Sequence, residues 1–153
     1  KFEAEDRLLV IYTDGNYEIT DQELTQRFDT EKVLLIEKFD AEKIITAVYY
    51  DKEKVQYSVK RFKIETSTLH NKFLFIKEGD GNYLEAVTTD DEPILAMQSG
   101  RGAQVRSAKV TISKVVDVMG WKALGNKLTD FNKSIEMEWV PKVANNPQAE
   151  LFE

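Results

Sequence analysis

The sequence predicts an all-β fold built from stacked sheets. Its apolar runs are short and mostly rich in β-branched and aromatic residues, which favours strands over helices. Several runs are apolar at consecutive positions, a pattern typical of strands that are buried on both faces. Neighbouring blades of a β-propeller bury their inner strands in this way. Turn signals recur between the runs and indicate a repeated unit.

The predicted strands follow one another along most of the chain. The apolar runs that define the clearest of them are Leu8–Tyr12, Val33–Ile36, Ile44–Tyr50, Phe73–Ile76 and Val115–Met119. Further predicted strands are Tyr17–Thr20, Val55–Ile64, Tyr83–Thr89, Ile94–Gln98 and Val105–Ile112.

Four turns are predicted to close hairpins between these strands. They are Asp14-Gly15, Asp51–Lys54, Gly79–Asn82 and Gly100–Gly102. Glycine suits such turns because it adopts positive φ at little cost. The residues Asp14–Tyr17 recur as Asp80–Tyr83, which supports an internal repeat.

Helix is scarce, and the end of the chain carries a boundary signal. Thr20–Glu23 fits a capping box and predicts a short helix before Phe28. The prolines and asparagines between Pro141 and Pro147 indicate that the domain fragment occupies residues 1–140 and that residues 141–153 form a flexible tail. Because the chain starts with Lys1, we expect it to be a piece of a longer protein.

Composition excludes several classes of function. Of the 153 residues 42% are apolar, enough for a core, and none is cysteine, which excludes disulfides, thiolate catalysis and zinc-thiolate sites. No apolar run reaches the roughly 20 residues that span a bilayer. His70, the only histidine, has no serine–acid arrangement around it, and no metal-ligand spacing or phosphate-binding loop is present. We therefore expect no catalytic residue, metal or cofactor in this fragment, and a cytoplasmic location.

Charge is distributed unevenly. The segment Ile94–Leu128 holds six cations against the single acid Asp117, a net charge of +5 in a chain whose net charge is −6. The six cations are Arg101, Arg106, Lys109, Lys114, Lys122 and Lys127. A phosphate backbone is the obvious anion for such a segment, although a solvated pair of strands would also explain it. Lys60 and Arg61 are a second basic candidate, with edge-strand protection as the alternative.

The segment Gly120–Leu128 (GWKALGNKL) is similar to a glycine-rich basic segment that ends a blade in the C-terminal domain of bacterial type IIA topoisomerase A subunits. Those subunits belong to DNA gyrase and topoisomerase IV. Leu8–Tyr17 also resembles the strand–turn–strand of this family, and Tyr49–Phe62 has the same cadence. The resemblance covers most of residues 7–140 and is greatest to the topoisomerase IV type.

The resemblance implies a partial β-propeller, or β-pinwheel, of about three four-stranded blades. It implies a non-catalytic domain that binds and bends duplex DNA and presents it to the upstream core of an ATP-dependent type II topoisomerase. Its implied partners are duplex DNA, the rest of the A subunit and the ATPase B subunit, at the nucleoid, with no cofactor in this fragment and no membrane contact.

The DNA-contacting role transfers first to Lys122 and Lys127, then to Arg101 and Arg106. Lys109, Lys60 and Arg61 are further candidates by charge. Because the chain is acidic overall and lacks the glutamine-rich box of gyrase, we expect local DNA contact rather than strong wrapping. The alternative is an acidic interaction module that docks a basic partner or another domain of its own subunit.

Overall fold

The computed structural model describes residues 7–21, 32–65, 68–69, 71–100, 105–123, 125–128 and 135–141. Within these ranges the chain forms twelve strands and one short 3₁₀ helix, Ile112–Lys114. The strands are β1 (Leu8–Tyr12), β2 (Asn16–Thr20), β3 (Val33–Lys38), β4 (Ile45–Asp51), β5 (Gln56–Phe62), β6 (Lys72–Leu74), β7 (Tyr83–Thr88), β8 (Ile94–Ser99), β9 (Arg106–Thr111), β10 (Val118–Met119), β11 (Asn126–Lys127) and β12 (Ile135–Trp139).

The strands form three sheets, which we call blades 1 to 3. Blade 1 has the strand order β3-β1-β2-β6, and blade 3 has the order β12-β8-β9. Blade 2 has the order β10-β5-β4-β7, with β11 also paired to β5. All pairs between named strands are antiparallel except β10 with β5.

Each blade starts from a hairpin of consecutive strands: β1–β2, β4–β5 and β8–β9. A third strand pairs with the first strand of the hairpin, namely β3, β7 and β12. In blades 1 and 2, the second strand of the hairpin also pairs with a segment from later in the chain. In blade 1 β2 pairs with β6, and in blade 2 β5 pairs with β10 and β11. Since β6 follows β5 in the chain, each later repeat lends a strand to the blade before it.

The core consists of two apolar clusters between the blades. The first joins blades 1 and 2 and includes Ile11, Tyr17 and Phe62. The second joins blades 2 and 3 and includes Val48 and Leu95. The predicted burial on both faces is confirmed for β1, which is buried at every position, and for β4, where a single position is only partly buried. A middle blade presents apolar side chains on both faces because it packs against a neighbour on each side.

One predicted hairpin is wrong. The strands on either side of Gly79–Asn82 do not pair with each other, since β6 pairs with β2 and β7 pairs with β4. The segment is a crossing from blade 1 to blade 2. The Asn82 side chain fixes this crossing by donating to Lys77 O (2.9 Å) and accepting from Lys52 N (2.8 Å).

The predicted strand Val115–Met119 is also wrong over most of its length. Ile112–Lys114 forms the 3₁₀ helix, and Val116 N donates to Ile112 O at 3.0 Å. This turn points Ile112 and Val116 into the second core cluster. A helical turn buries residues four apart, as here, whereas a strand would bury alternate ones. Only Val118–Met119 pairs as a strand.

The remaining hairpins are confirmed at Asp14-Gly15 and Asp51–Lys54. The strands on either side of Gly100–Gly102 also pair as predicted, although Arg101 and Gly102 themselves lie outside the described residues. Most of the segment that is predicted to form a helix before Phe28 also lies outside the described residues. So do His70 and all but the first residue of the predicted tail.

Candidate nucleic-acid interface

The three sheets meet along one edge each. The edge strand β7 of blade 2 contacts both β3 of blade 1 and β12 of blade 3. The opposite edges are formed by β6 in blade 1, by β10 and β11 in blade 2, and by β9 in blade 3. We call these two sets the inner and outer edges.

Every outer edge carries exposed cationic side chains, which together we call the basic rim. The basic rim consists of Lys72, Arg106, Lys109, Lys122 and Lys127. The inner-edge strands carry mostly acids, namely Glu37, Glu85, Glu136 and Glu138, with Lys38 as their one cation. The fold therefore sorts the two signs of charge toward opposite edges of the blades, which a sequence-wide net charge conceals.

The glycine-rich segment forms a loop on the outer edge of blade 2. β10 runs beside Arg61 and Phe62, and β11 returns beside Val59 and Ser58. The intervening 120–125 loop, described except for Leu124, lies over the gap at Lys60. The loop therefore places Lys122 and Lys127 outside the edge of β5.

Trp121 fastens this loop to blade 1. Its ring lies 5.8 Å from the Tyr17 ring and 5.8 Å from the Phe73 ring, both in edge-to-face geometry. Such pairs contribute about 0.5–1.5 kcal/mol each beyond the burial of their area. A loop that belongs to blade 2 by pairing is thus held to blade 1 by packing, which joins the outer edges of these two blades.

The two glycines of the loop have different roles. A Cβ on Gly125 would lie 2.6 Å from Val59 O, and Gly125 N donates to the Tyr49 hydroxyl at 3.4 Å. A Cβ on Gly120 would meet nothing within 4 Å. Gly125 is required because the chain passes directly against the backbone of β5.

Lys60 is buried beneath the loop, with only 3% of its surface exposed. Its Nζ donates to three carbonyl oxygens: Phe75 O at 2.5 Å, Trp121 O at 2.6 Å and Ala123 O at 2.6 Å. Burial lowers the pKa of Lys60 to about 8. The ammonium is therefore still mostly charged at neutral pH, and all three of its N–H groups are used.

Arg61 is buried on the opposite face of β5, with 5% of its surface exposed. Its Nε donates to Thr46 Oγ1 at 3.2 Å, and one terminal nitrogen donates to Asp91 O at 2.9 Å. The alternation that separates Lys60 from Arg61 is as the sequence predicts. The suggestion that they protect an edge does not fit, because β5 is paired on both sides.

The family model of the topoisomerase C-terminal domain of Bacteroidota matches residues 1–137 of the chain. The chain belongs to this family. No curated protein sequence matches the chain. The resemblance noted above to topoisomerase C-terminal domains is confirmed.

One solved structure similar to this topoisomerase C-terminal domain is described as the crystal structure of the C-terminal domain of DNA topoisomerase IV. The TM-score is 0.67 at 15% sequence identity, and the match covers 92% of this chain and 49% of that one. The chain thus spans about half the length of that structure. The predicted fold, an all-β partial β-pinwheel of about three four-stranded blades, is confirmed in its class. Within the described residues the successive blades hold four, five and three strands rather than four each.

The structure places the predicted DNA-contacting residues of this topoisomerase domain in two groups. Lys122, Lys127, Arg106 and Lys109 lie exposed on the basic rim, while Arg101 lies outside the described residues. Lys60 and Arg61 are corrected from DNA ligands to structural residues. Neither could reach a phosphate without breaking the hydrogen bonds that compensate its burial.

Lys72 is the member of the basic rim that the sequence did not reveal. Its Nζ lies 4.3 Å from the centre of the Tyr12 ring, which holds the side chain against blade 1. Its strand, β6, has only three residues and shows no periodicity. The signal that could have indicated it is topological. In the chain β6 follows the β4–β5 hairpin, just as β10 and β11 follow the β8–β9 hairpin.

The described residues also limit what else the domain can do. No helix among them is long and apolar enough to cross a membrane. No group of three or more acidic or histidine side chains in the same ranges could hold a metal ion.

Proposed function

We propose that this domain binds duplex DNA along the basic rim and bends it, so that a DNA segment is presented to the catalytic core of a type II topoisomerase A subunit. The observation that carries the proposal is the presence of exposed cations on the outer edge of all three blades, opposite an acidic inner edge. A duplex that followed the outer edges would meet cations repeatedly and would be repelled from the remaining surface.

The rim suits phosphates rather than bases. Its described side chains are lysines and an arginine on short edge strands and a loop, charged groups that suit phosphate oxygens. Phosphate contacts position a duplex but do not read its sequence. We therefore expect binding with little sequence preference, as suits a domain that must act at many places on a chromosome.

The expected affinity is modest. Bending 20–30 base pairs costs on the order of 1–6 kcal/mol, and the contacts of the rim must offset that cost. The net charge of −6 opposes close approach of DNA to the rest of the surface. Local contact is therefore a better description than extended wrapping.

The chemistry of strand passage is assigned to other parts of the enzyme. The proposed parent is an ATP-dependent type II topoisomerase with a DNA-cleaving A subunit and an ATPase B subunit, active on DNA in the cytoplasm. The tyrosines described here act in packing: Tyr12 donates to Glu18 Oε1 at 2.8 Å, and Tyr17 and Tyr49 are fully buried in the first core cluster.

The test is the salt dependence of binding to a labelled duplex of about 30 base pairs, followed by fluorescence anisotropy. Five rim contacts predict that log affinity falls with log salt at a slope of about −4.5. Dyes at the two ends of the same duplex should also report shortening on binding. Absence of binding at low salt would reject the proposal.

The second candidate is a protein-interaction module. It is favoured by an open groove on the exposed face of blade 3, where Glu136 and Glu138 lie beside Gln98 and Lys109. This surface could dock a basic segment of another domain. Binding that tracks a partner protein and is indifferent to DNA would support this candidate instead.

A further inference from the structure

The described part of the 120–125 loop, which excludes Leu124, makes few backbone hydrogen bonds of its own to the sheet. Within it, Ala123 N donates to Gly120 O at 3.0 Å, a bond that shapes the loop but does not attach it to the sheet. Gly125 N reaches only the hydroxyl of Tyr49. The polar attachment of residues 121 and 123 to blade 2 runs through the side chain of Lys60.

Lys60 joins three segments that are distant in the chain. Its side chain extends from β5 and donates to Trp121 O and Ala123 O in the loop and to Phe75 O just beyond β6. The segments that contain β6 and the 120–125 loop both belong to the outer edges. One buried cation therefore sets the spacing between the rim residues of blade 1 and those of blade 2.

The chemistry at this point is specific to an ammonium group. An ammonium presents three donors around one point charge, whereas a guanidinium presents a flat fork and an amide only two donors. Charge-assisted bonds of this length are stronger than neutral ones. The Phe62 and Phe75 rings, 5.1 Å and 5.9 Å from Nζ, complete the surroundings of the cation.

We propose that Lys60 is a positioning residue of the DNA-contacting surface, which holds Lys122 at the rim without touching DNA itself. The two carbonyls that Lys60 binds, those of Trp121 and Ala123, flank Lys122, whereas Lys127 lies on β11, which pairs with β5. The proposal rests on the proposed function, because it assigns Lys60 a part in presenting that cation. Charge alone suggests that Lys60 contacts DNA, but in this proposal it supports a residue that does.

Arg61 provides a matched control. It is the next residue on the same strand, carries the same charge, is equally buried and also donates to a backbone carbonyl, that of Asp91. Its contacts lie on the face away from the loop. Replacing either residue with methionine removes one buried cation, but only Lys60→Met frees the loop.

The experiment compares the salt slopes of DNA binding for the wild type, Lys60→Met and Arg61→Met, at a temperature where circular dichroism shows each to be folded. Lys60→Met should reduce the magnitude of the slope by about 1, since Lys122 no longer binds in register. Arg61→Met should keep the wild-type slope. Adding Lys122→Ala to Lys60→Met should have almost no further effect, whereas adding Lys127→Ala should lower the slope by about 1 more.

A wild-type slope in Lys60→Met, or equal losses in both methionine variants, would overturn the proposal. If Lys60→Met does not fold, Lys60→Gln, which keeps two donors, replaces it under the same criteria. If the wild type itself does not bind DNA, the proposed function fails, and hydrogen exchange then decides on Lys60. The amides of residues 121–123 should exchange faster in Lys60→Met than in Arg61→Met, and equal rates would reject the positioning role.

Discussion

Gly15→Ala is expected to lower the free energy of unfolding by about 2–5 kcal/mol. Gly15 has φ +88°, a conformation that L side chains rarely adopt. A Cβ there would lie 2.3 Å from Cγ1 of Ile76, inside the first core cluster. The turn cannot retreat easily, because Gly15 N donates to Tyr12 O and Gly15 O accepts from Phe75 N. Urea denaturation of the two proteins measures the difference.

The two causes of this loss can be separated. Ile76→Ala removes the atoms that clash and leaves the backbone strain, so Gly15→Ala should cost less in that background than in the wild type. Gly120→Ala is the control, since its Cβ meets open space and its φ is not positive. A loss below about 1 kcal/mol for Gly15→Ala would contradict the geometry of this turn.

Gly125→Ala is expected to destabilise the domain by about 1–3 kcal/mol and to weaken DNA binding as well. The new Cβ would lie 2.6 Å from Val59 O, a backbone atom that cannot swing aside. The 120–125 loop and β11 must therefore move away from β5, and Lys127 moves with them. Denaturation and duplex binding should both respond.

The matched variant for Gly125 lies five residues earlier in the same loop. Gly120→Ala should leave DNA binding unchanged, and should leave stability unchanged or raise it by about 0.4–1 kcal/mol through the unfolded state. Equal effects of the two alanines would show that the loop does not pass against β5 as described.

Local patterns predicted those parts of the fold that depend on neighbours in sequence. The consecutive apolar residues of β1 predicted a strand buried on both faces, and Asp14-Gly15 predicted a hairpin whose glycine indeed has positive φ. The same kind of turn residues at Gly79–Asn82 predicted a hairpin that does not form. There the turn is real, but the flanking strands pair with different blades.

The exchange of strands between blades could not be read from the sequence. β6 and β10 contain three and two residues, too few for a period to show, and their partners lie far away in the chain. For the same reason Lys72 did not stand out as a member of the rim.

The role of Lys60 was hidden for a different physical reason. Alternation along β5 correctly separated Lys60 from Arg61, but a strand pattern does not say what covers each face. Lys60 is covered by residues 75, 121 and 123. Two of these belong to the 120–125 loop, which lies in the segment that most resembles the topoisomerase family. The most distinctive stretch of sequence is thus held in place by a residue some sixty positions away.

The most direct test of the central claim is the change in salt slope when cations are removed from the rim. Lys122→Ala/Lys127→Ala should reduce the slope of duplex binding from about −4.5 to about −2.7. Lys38→Ala/Lys43→Ala removes the same charge from the inner-edge strand β3 and the turn that follows it, and should keep the wild-type slope. Equal slopes for the two double variants would contradict DNA binding along the outer edges of the blades.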